Sequence, residues 1–414
     1  MKKPINVILL TLISLIVATA STWFGWQVAA NNLNQPEPEN QAVVNQKVEV
    51  YFYRTDGIYR VTSDQDTPQK IVETNYDRDK PYYFSPSFDL MGENSNWLVY
   101  KDVIGKNDET NEVFFGLVVY DMTENKPIFN FDDKESSVTS LMVSPNKNKL
   151  VFVVNRKDPN KEISQGHEPF YQELLVWDGK SNQPEKVLTE ASGFFGLGLG
   201  IWLDNETITL GRGYEGISYC KFNLTTDKEL PQNCEGYGSS SYGGMENLVT
   251  LVDGWLYGYR YEWSEMTGTR NPSKGIFKQQ PNNNKIYLSN DVPSDLVVGQ
   301  NQLYYLRSNL DSSRYIYNGV DSDLYLVAKD GSFTKRLTND GNSVMAKSNL
   351  DLSSDQRFIS YQITDISNIP PTENNLETTQ DNSTIWLYDT QLNKYYQIAE
   401  KGLAPQVVVK NLTN

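Results

Sequence analysis

One repeated unit constrains this chain more than any other feature. The stretch DLYLVAKDGSFTKRLTNDGNSVMAKSNLDLSSDQRFISYQ (323–362) holds an alternating apolar run, a Lys-Asp-Gly turn and a short segment ending Arg-Leu-Thr. A polar gap, a Ser-Ser-Asp-Gln turn and another alternating run follow. Apolar residues at every second position mark strands. First strands occur as VEVYFYR (48–54), WLVYKD (97–102), LVFVVN (150–155), TITLGR (207–212), WLYGYRY (255–261), LYYLRS (303–308) and FISYQI (358–363). Each has a partner: GIYRV (57–61), GLVVYD (116–121), LLVWD (174–178), ISYCKF (217–222), GIFKQ (275–279), DLYLVA (323–328) and TIWLYD (384–389). A polar turn and a short edge come next: TPQKIV, KPIFNF, PEKVLT, KELPQN, KIYLSN, TKRLT and KYYQIA. Runs such as SVTSLMVS (137–144), GLGLGIWL (196–203) and NLVTLV (247–252) precede several first strands.

Four short strands recurring about every 50 residues predict an all-β chain folded as a β-propeller. A lone four-stranded blade leaves open edges and bare faces, and a ring of blades buries each face on the next. Seven blades are expected over residues 48–411, with six as the alternative because the fourth is thin in pattern. The repeat begins on what is the second strand of a blade. APQVVVKN (404–411) is therefore expected to supply the missing innermost strand and close the ring.

The unit also resembles the TolB-type, WD40-like repeat, in which an Asp-Gly turn precedes Arg-Leu-Thr and a Ser-Pro-Asp-Gly turn precedes the next strand. The matching turns here are Ser144-Pro145-Asn146-Lys147 and Ser353-Ser354-Asp355-Gln356, which depart from the family pattern at one or more positions. The likeness is clearest in 323–399 and fair in 137–189. It is similar as well to the propeller of dipeptidyl-peptidase IV-type enzymes, without their hydrolase domain. The resemblance implies a fold and carries over no functional residue, since the matched positions are turn and core residues.

Charge and composition exclude much. A formal net charge of -15 repels phosphate backbones, so a nucleic-acid partner is not expected. One histidine, His167, and two cysteines rule out a Cys/His zinc site, and no metal or cofactor is expected. No G-x-S-x-G elbow and no Walker A motif occur. GRGYEG (211–216) matches G-x-G-x-x-G, but the alternating ISYCKF follows where a helix is required, so it reads as a hairpin turn.

Lys2 and Lys3 precede an apolar run from Ile5, an export signal. Cleavage after Ala20 makes it a signal peptide. Retention through Ala30, with Trp23 and Trp26 at the outer interface, makes residues 1–30 a hydrophobic anchor helix. Residues 31–47 read as a polar tether. Either way the propeller is expected outside the cytoplasm, membrane-anchored in periplasm or at the cell surface, or secreted. Any membrane contact is through the N-terminal helix only. Cys220 and Cys234 fit that compartment: each lies seven residues from Asp227, so a hairpin turning there sets them face to face in a cross-strand disulfide.

Function is expected in the long gaps between second and third strands, 103–115, 156–173, 262–274, 309–322 and 364–383, which emerge on one face of a propeller. The last, with Pro370 and Pro371, reads as mostly disordered. The aromatics there, Phe170, Tyr171, Trp263, Tyr315 and Tyr317, are the candidate binding residues for a protein or cell-envelope polymer. No catalytic residue is assigned, and the expectation favours a non-catalytic binding module. The alternative is an enzyme acting on a glycan or small ester in the central funnel.

Overall fold

The computed structural model holds twenty-eight strands among its described residues. It describes residues 46–411 except 64, 76–86, 107–112, 158–169, 192–196, 213–217, 232–233, 235–236, 238, 242–243, 264–269, 281–283, 309–319, 368 and 370–375. The predicted N-terminal helix and most of the tether lie outside the described residues. β1 (Gln46–Arg54), β2 (Gly57–Thr62) and β3 (Gln65–Val72) belong to blade 1, and β4 (Phe88–Met91), β5 (Trp97–Lys106), β6 (Val113–Asp121) and β7 (Lys126–Phe131) to blade 2. Blade 3 holds β8 (Ser136–Val143), β9 (Leu150–Lys157), β10 (Phe170–Trp177) and β11 (Glu185–Ala191). Blade 4 holds β12 (Gly198–Trp202), β13 (Thr207–Arg212), β14 (Ser218–Asn223) and β15 (Ser239–Ser241). Blade 5 holds β16 (Gly244–Val252), β17 (Trp255–Trp263), β18 (Arg270–Gln279) and β19 (Ile286–Ser289). Blade 6 holds β20 (Asp295–Val298), β21 (Gln302–Ser308), β22 (Ser322–Ala328) and β23 (Thr334–Arg336). Blade 7 holds β24 (Met345–Leu352), β25 (Phe358–Asp365), β26 (Ser383–Asp389) and β27 (Lys394–Ala399).

Seven antiparallel blades result, and β28 (Leu403–Asn411) completes the first in the order β28-β1-β2-β3. The C-terminal strand thus closes the ring on the N-terminal blade. Between adjacent blades both faces of the central strands are covered. That is why β9 reads as the unbroken run Leu150–Val154, every residue fully buried. Outer strands lose this cover, and β23 is exposed at all three positions. Apolar clusters fill the seams. Tyr51, Ile58 and Phe88 belong to the blade 1–2 seam, and Val99, Phe152 and Trp177 to the blade 2–3 seam.

Blade 4 departs from expectation. Residues 228–231 of KELPQN lie in no strand; the three-residue β15 forms the outer strand, and it pairs onward with β16, so blades 4 and 5 share one eight-stranded sheet. Pro231 has no N–H to give a ladder. Upstream, Asn223 ties the chain into a turn, its Oδ1 accepting the amides of Thr225 and Thr226 at 3.0 Å each. Leu224 and Leu230 then pack into the blade 3–4 cluster. The Cys220–Cys234 disulfide is present, with Cα atoms 4.6 Å apart, but only Cys220 sits in a strand. Cys234 lies in the irregular connection, so the bridge staples a loop rather than a hairpin. The segment 364–383 also differs: it contains a short helix, α1 (Leu376–Asp381).

Candidate binding site

Arg-Leu-Thr in the repeat has a physical task. Asp323, the first charged residue of β22, is fully buried. Arg336 pairs with its Oδ2, and Oδ1 accepts the Thr338 hydroxyl at 2.9 Å and the amides of Asp340 and Gly341 at 3.0 and 3.1 Å. A buried carboxylate this fully bonded is tolerated, whereas an unpaired one is not. Lys347, on β24 of the next blade, is 2% exposed and reaches back. Its Nζ donates to the Ser322 carbonyl at 2.6 Å and to Asp340 Oδ1 at 2.8 Å. This polar hub fixes the junction of blades 6 and 7.

Above the hub lies a cavity of about 540 Å³. Met345, Ile363 and the half-buried Trp386 supply its apolar wall, and Asp340, Asp365, Asp381 and Glu400 stand around it with Lys347. Trp386 is held by its Nε1–H on Thr384 Oγ1 at 2.9 Å and by the Tyr395 ring, centroids 5.8 Å apart. Asp381 pairs with Lys401 at 2.8 Å. Asp365 Oδ1 accepts the Ser367 hydroxyl and amide at 2.6 and 2.9 Å, and these bonds hold its carboxyl below the usual carboxylate range. Among the described residues, neither Asp365 nor Glu400 has a cationic partner. Successive connections of an antiparallel blade alternate between its two ends. The β25–β26, β23–β24 and β27–β28 connections that build this cavity therefore emerge on the same face as the long gaps. A smaller cavity of about 330 Å³, lined by Lys149, Asp178, Glu206 and neighbours, opens on the opposite face between blades 3 and 4.

Innermost strands carry a second set of carboxylates. Asp295 Oδ2 accepts the Leu350 amide and Asp351 Oδ2 the Val407 amide, each at 2.7 Å, while Gln406 Nε2 donates to the Phe88 carbonyl at 2.8 Å. These bonds run from blade 6 to 7, from 7 to 1 and from 1 to 2. Lys147, in the β8–β9 turn, pairs with Asp89 of blade 2 at 3.4 Å. Burial, with the nearby Asp89 carboxylate adding to it, pushes the Asp351 carboxyl up to about 7.

Of the predicted binding aromatics, the three within the described residues stand on other blades. Phe170 and Tyr171 open β10, and Trp263 ends β17, so all three belong to strands on blades 3 and 5 rather than to loops. The strands run further outward than the alternation suggested, to Lys157 and from Phe170, and to Trp263 and from Arg270. Tyr315, Tyr317 and His167 lie outside the described residues. Sequence reasoning missed Trp386, Asp365 and Glu400. Trp386 reads as an ordinary strand residue, and the three meet only through folding.

No family model matches the chain, and no curated protein matches it. Among solved structures, one described as a prolyl endopeptidase superposes with a TM-score of 0.51 at 11% identity, covering 96% of this chain and 55% of that one. Prolyl oligopeptidase B from Galerina marginata, bound to a 35mer substrate, gives 0.50 at 10% identity, covering 86% and 51%. The chain spans about half the length of the solved peptidases it matches. At these identities the likeness is one of fold alone.

Proposed function

We propose that the protein is a non-catalytic, extracytoplasmic β-propeller that binds a protein or cell-envelope polymer through the face bearing the long connections. It is held at the membrane by residues 1–30 or released by cleavage after Ala20. The observation that carries this is the blade 6–7 cavity, which pairs an apolar wall with charged groups and opens on that face. Such a mixture is the usual make-up of a recognition pocket. The disulfide supports an oxidising compartment. Kinship with the TolB-type repeat is part of the proposal. Its support is the shared turn chemistry: Ser353 Oγ donates to Asp355 Oδ1 at 2.6 Å, and Ser144 Oγ to Asn146 Oδ1 at 2.7 Å.

The test is site-specific photocrosslinking of the full chain in cells. A crosslinker at exposed Asn342, on the cavity rim, should capture a partner that one at exposed Asp178, on the opposite face, does not. Equal capture from both positions, or none from either, overturns the proposal. One observation favours the enzyme reading: burial, with the Asp89 carboxylate adding to it, pushes the Asp351 carboxyl up to about 7, the range in which a general acid works near neutrality. Turnover of a glycan or ester that Asp351→Asn abolishes would move the function there.

A further inference from the structure

We infer that the blade 6–7 cavity is a receptor for a protonated amine or guanidinium on an aliphatic stem, presented as a lysine or arginine side chain of a partner protein. The inference rests on the binding-module proposal and names the chemistry of that site. Carboxylates surround the opening, and two of them, Asp365 and Glu400, have no cationic partner among the described residues. Asp365 stays ionised because Ser367 bonds its charged form. Lys347 does not cancel them, since its ammonium is already bonded to the Ser322 carbonyl and Asp340. A cation arriving from solvent therefore finds unspent negative charge.

The apolar wall matches the rest of such a side chain. Trp386 lines the cavity with its indole pinned through Thr384, and cations bind indole rings more strongly than other aromatic rings. Ile363 and Met345 lie where methylenes pack, as the stems of long cationic side chains do. The volume, about 540 Å³, falls within the roughly 300–1,000 Å³ of small-ligand sites.

A second, independent feature points the same way. Tyr361 is fully buried, and among the described residues its hydroxyl has no hydrogen-bond partner. It shares a face of β25 with Ile363, two residues on, and its hydroxyl lies in the field of Asp340, a residue of the cavity wall. A buried hydroxyl without a partner is costly. Directly opposite Trp386 in the β25–β26 ladder, Tyr361 leaves an acceptor unused beside the cavity wall. The net charge of -15 draws cations toward the surface in general, and these groups select among them.

Calorimetry on the full chain tests this with capped Gly-Lys-Gly, its arginine and norleucine counterparts, and spermidine. The lysine and arginine peptides should bind, and the uncharged norleucine peptide roughly tenfold more weakly or worse. Asp365→Asn and Glu400→Gln, both outside the hydrophobic core, should each weaken binding about threefold to tenfold at low salt, and Trp386→Leu by a similar factor. Unchanged melting temperatures for the two charge variants show that the fold is intact. Equal affinity for the norleucine peptide, or no effect of either charge variant, overturns the inference. Spermidine binding without peptide binding assigns the site to free amines and overturns the protein source. Silence from every probe, with capture from position 342 retained, sinks the amine receptor and leaves the binding module standing. Loss of both removes the module too.

Discussion

Two seams of the ring are built in opposite ways. Between blades 4 and 5 the chain is continuous, and a backbone ladder bridges the seam. Ser239 faces Glu246, Ser240 faces Met245 and Ser241 faces Gly244, and among the described residues none of the six apolar clusters spans it. Between blades 7 and 1 the two ends of the propeller meet. Val48, Val50 and Phe52 pack there against Phe358, Ile385 and Leu387, with Val407 of β28 among them. Side chains reinforce the contact: Gln380 Oε1 accepts the Thr55 amide at 2.5 Å, Gln362 Oε1 the Ala404 amide at 3.1 Å, and Arg54 Nε donates to the Lys401 carbonyl at 3.1 Å. The lesson concerns chain entropy. Joining neighbours a few residues apart is cheap, whereas joining segments more than 300 residues apart requires many contacts at once.

The largest break of this symmetry is deletion of residues 404–414. It removes most of β28, with Val407 and the bonds from Asp351 and Gln362, and should cost on the order of 5 kcal/mol or more. Thermal unfolding should then begin roughly 10 °C lower or worse, and an unchanged midpoint would show that the ring does not need this strand. Next comes the disulfide. Cys220→Ser with Cys234→Ser should cost about 3 kcal/mol on the chain-entropy account, since 14 residues separate the pair. Hydrogen exchange should place the loss in blade 4 rather than at the closing seam.

A smaller effect comes from Asp351→Asn, and it depends on pH. The ordinary value is 3.8 and the buried one about 7. Between them the unfolded chain releases a proton that the folded chain keeps, so stability falls as pH rises through that window and levels off above it. The variant has no proton to release. Its unfolding free energy relative to the parent, read by chemical denaturation, should therefore climb between about pH 5 and about pH 8, by an amount on the order of 2 kcal/mol. A flat difference across that range would show that Asp351 is not held protonated. The least effect is expected from Ser239→Pro, which subtracts one donor from the short ladder to β16: roughly 1 kcal/mol, read by chemical denaturation.

The sequence made the second and third strands of each blade legible, because both faces are buried and the apolar runs announce themselves, as in LVFVV and LYLV. Closure by the final strand was legible from an arithmetic of strands, one blade being short by one. The outer strand of blade 4 was not. Ser239–Ser241 has no apolar residue to mark it, and KELPQN looked better on pattern until Pro231 and the Asn223 turn are weighed. Helix α1 was hidden because LETTQD is too short to display a helical period. The candidate site was hidden for another reason. Asp340, Ile363, Asp365, Trp386 and Glu400 come from two connections and two strands, and nothing in linear order groups them. Aromatic residues drew attention to loops, yet the aromatic that lines the cavity stands on a strand in plain alternation.

The position of β1 in its blade has a mechanical consequence. The first strand of the ring is flanked on both sides, by β28 and by β2. Tension delivered along the chain at residue 46 therefore loads two ladders in shear, along their whole length, instead of peeling an outer edge one bond at a time. A propeller gripped at that end resists being pulled apart at the point where it is pulled.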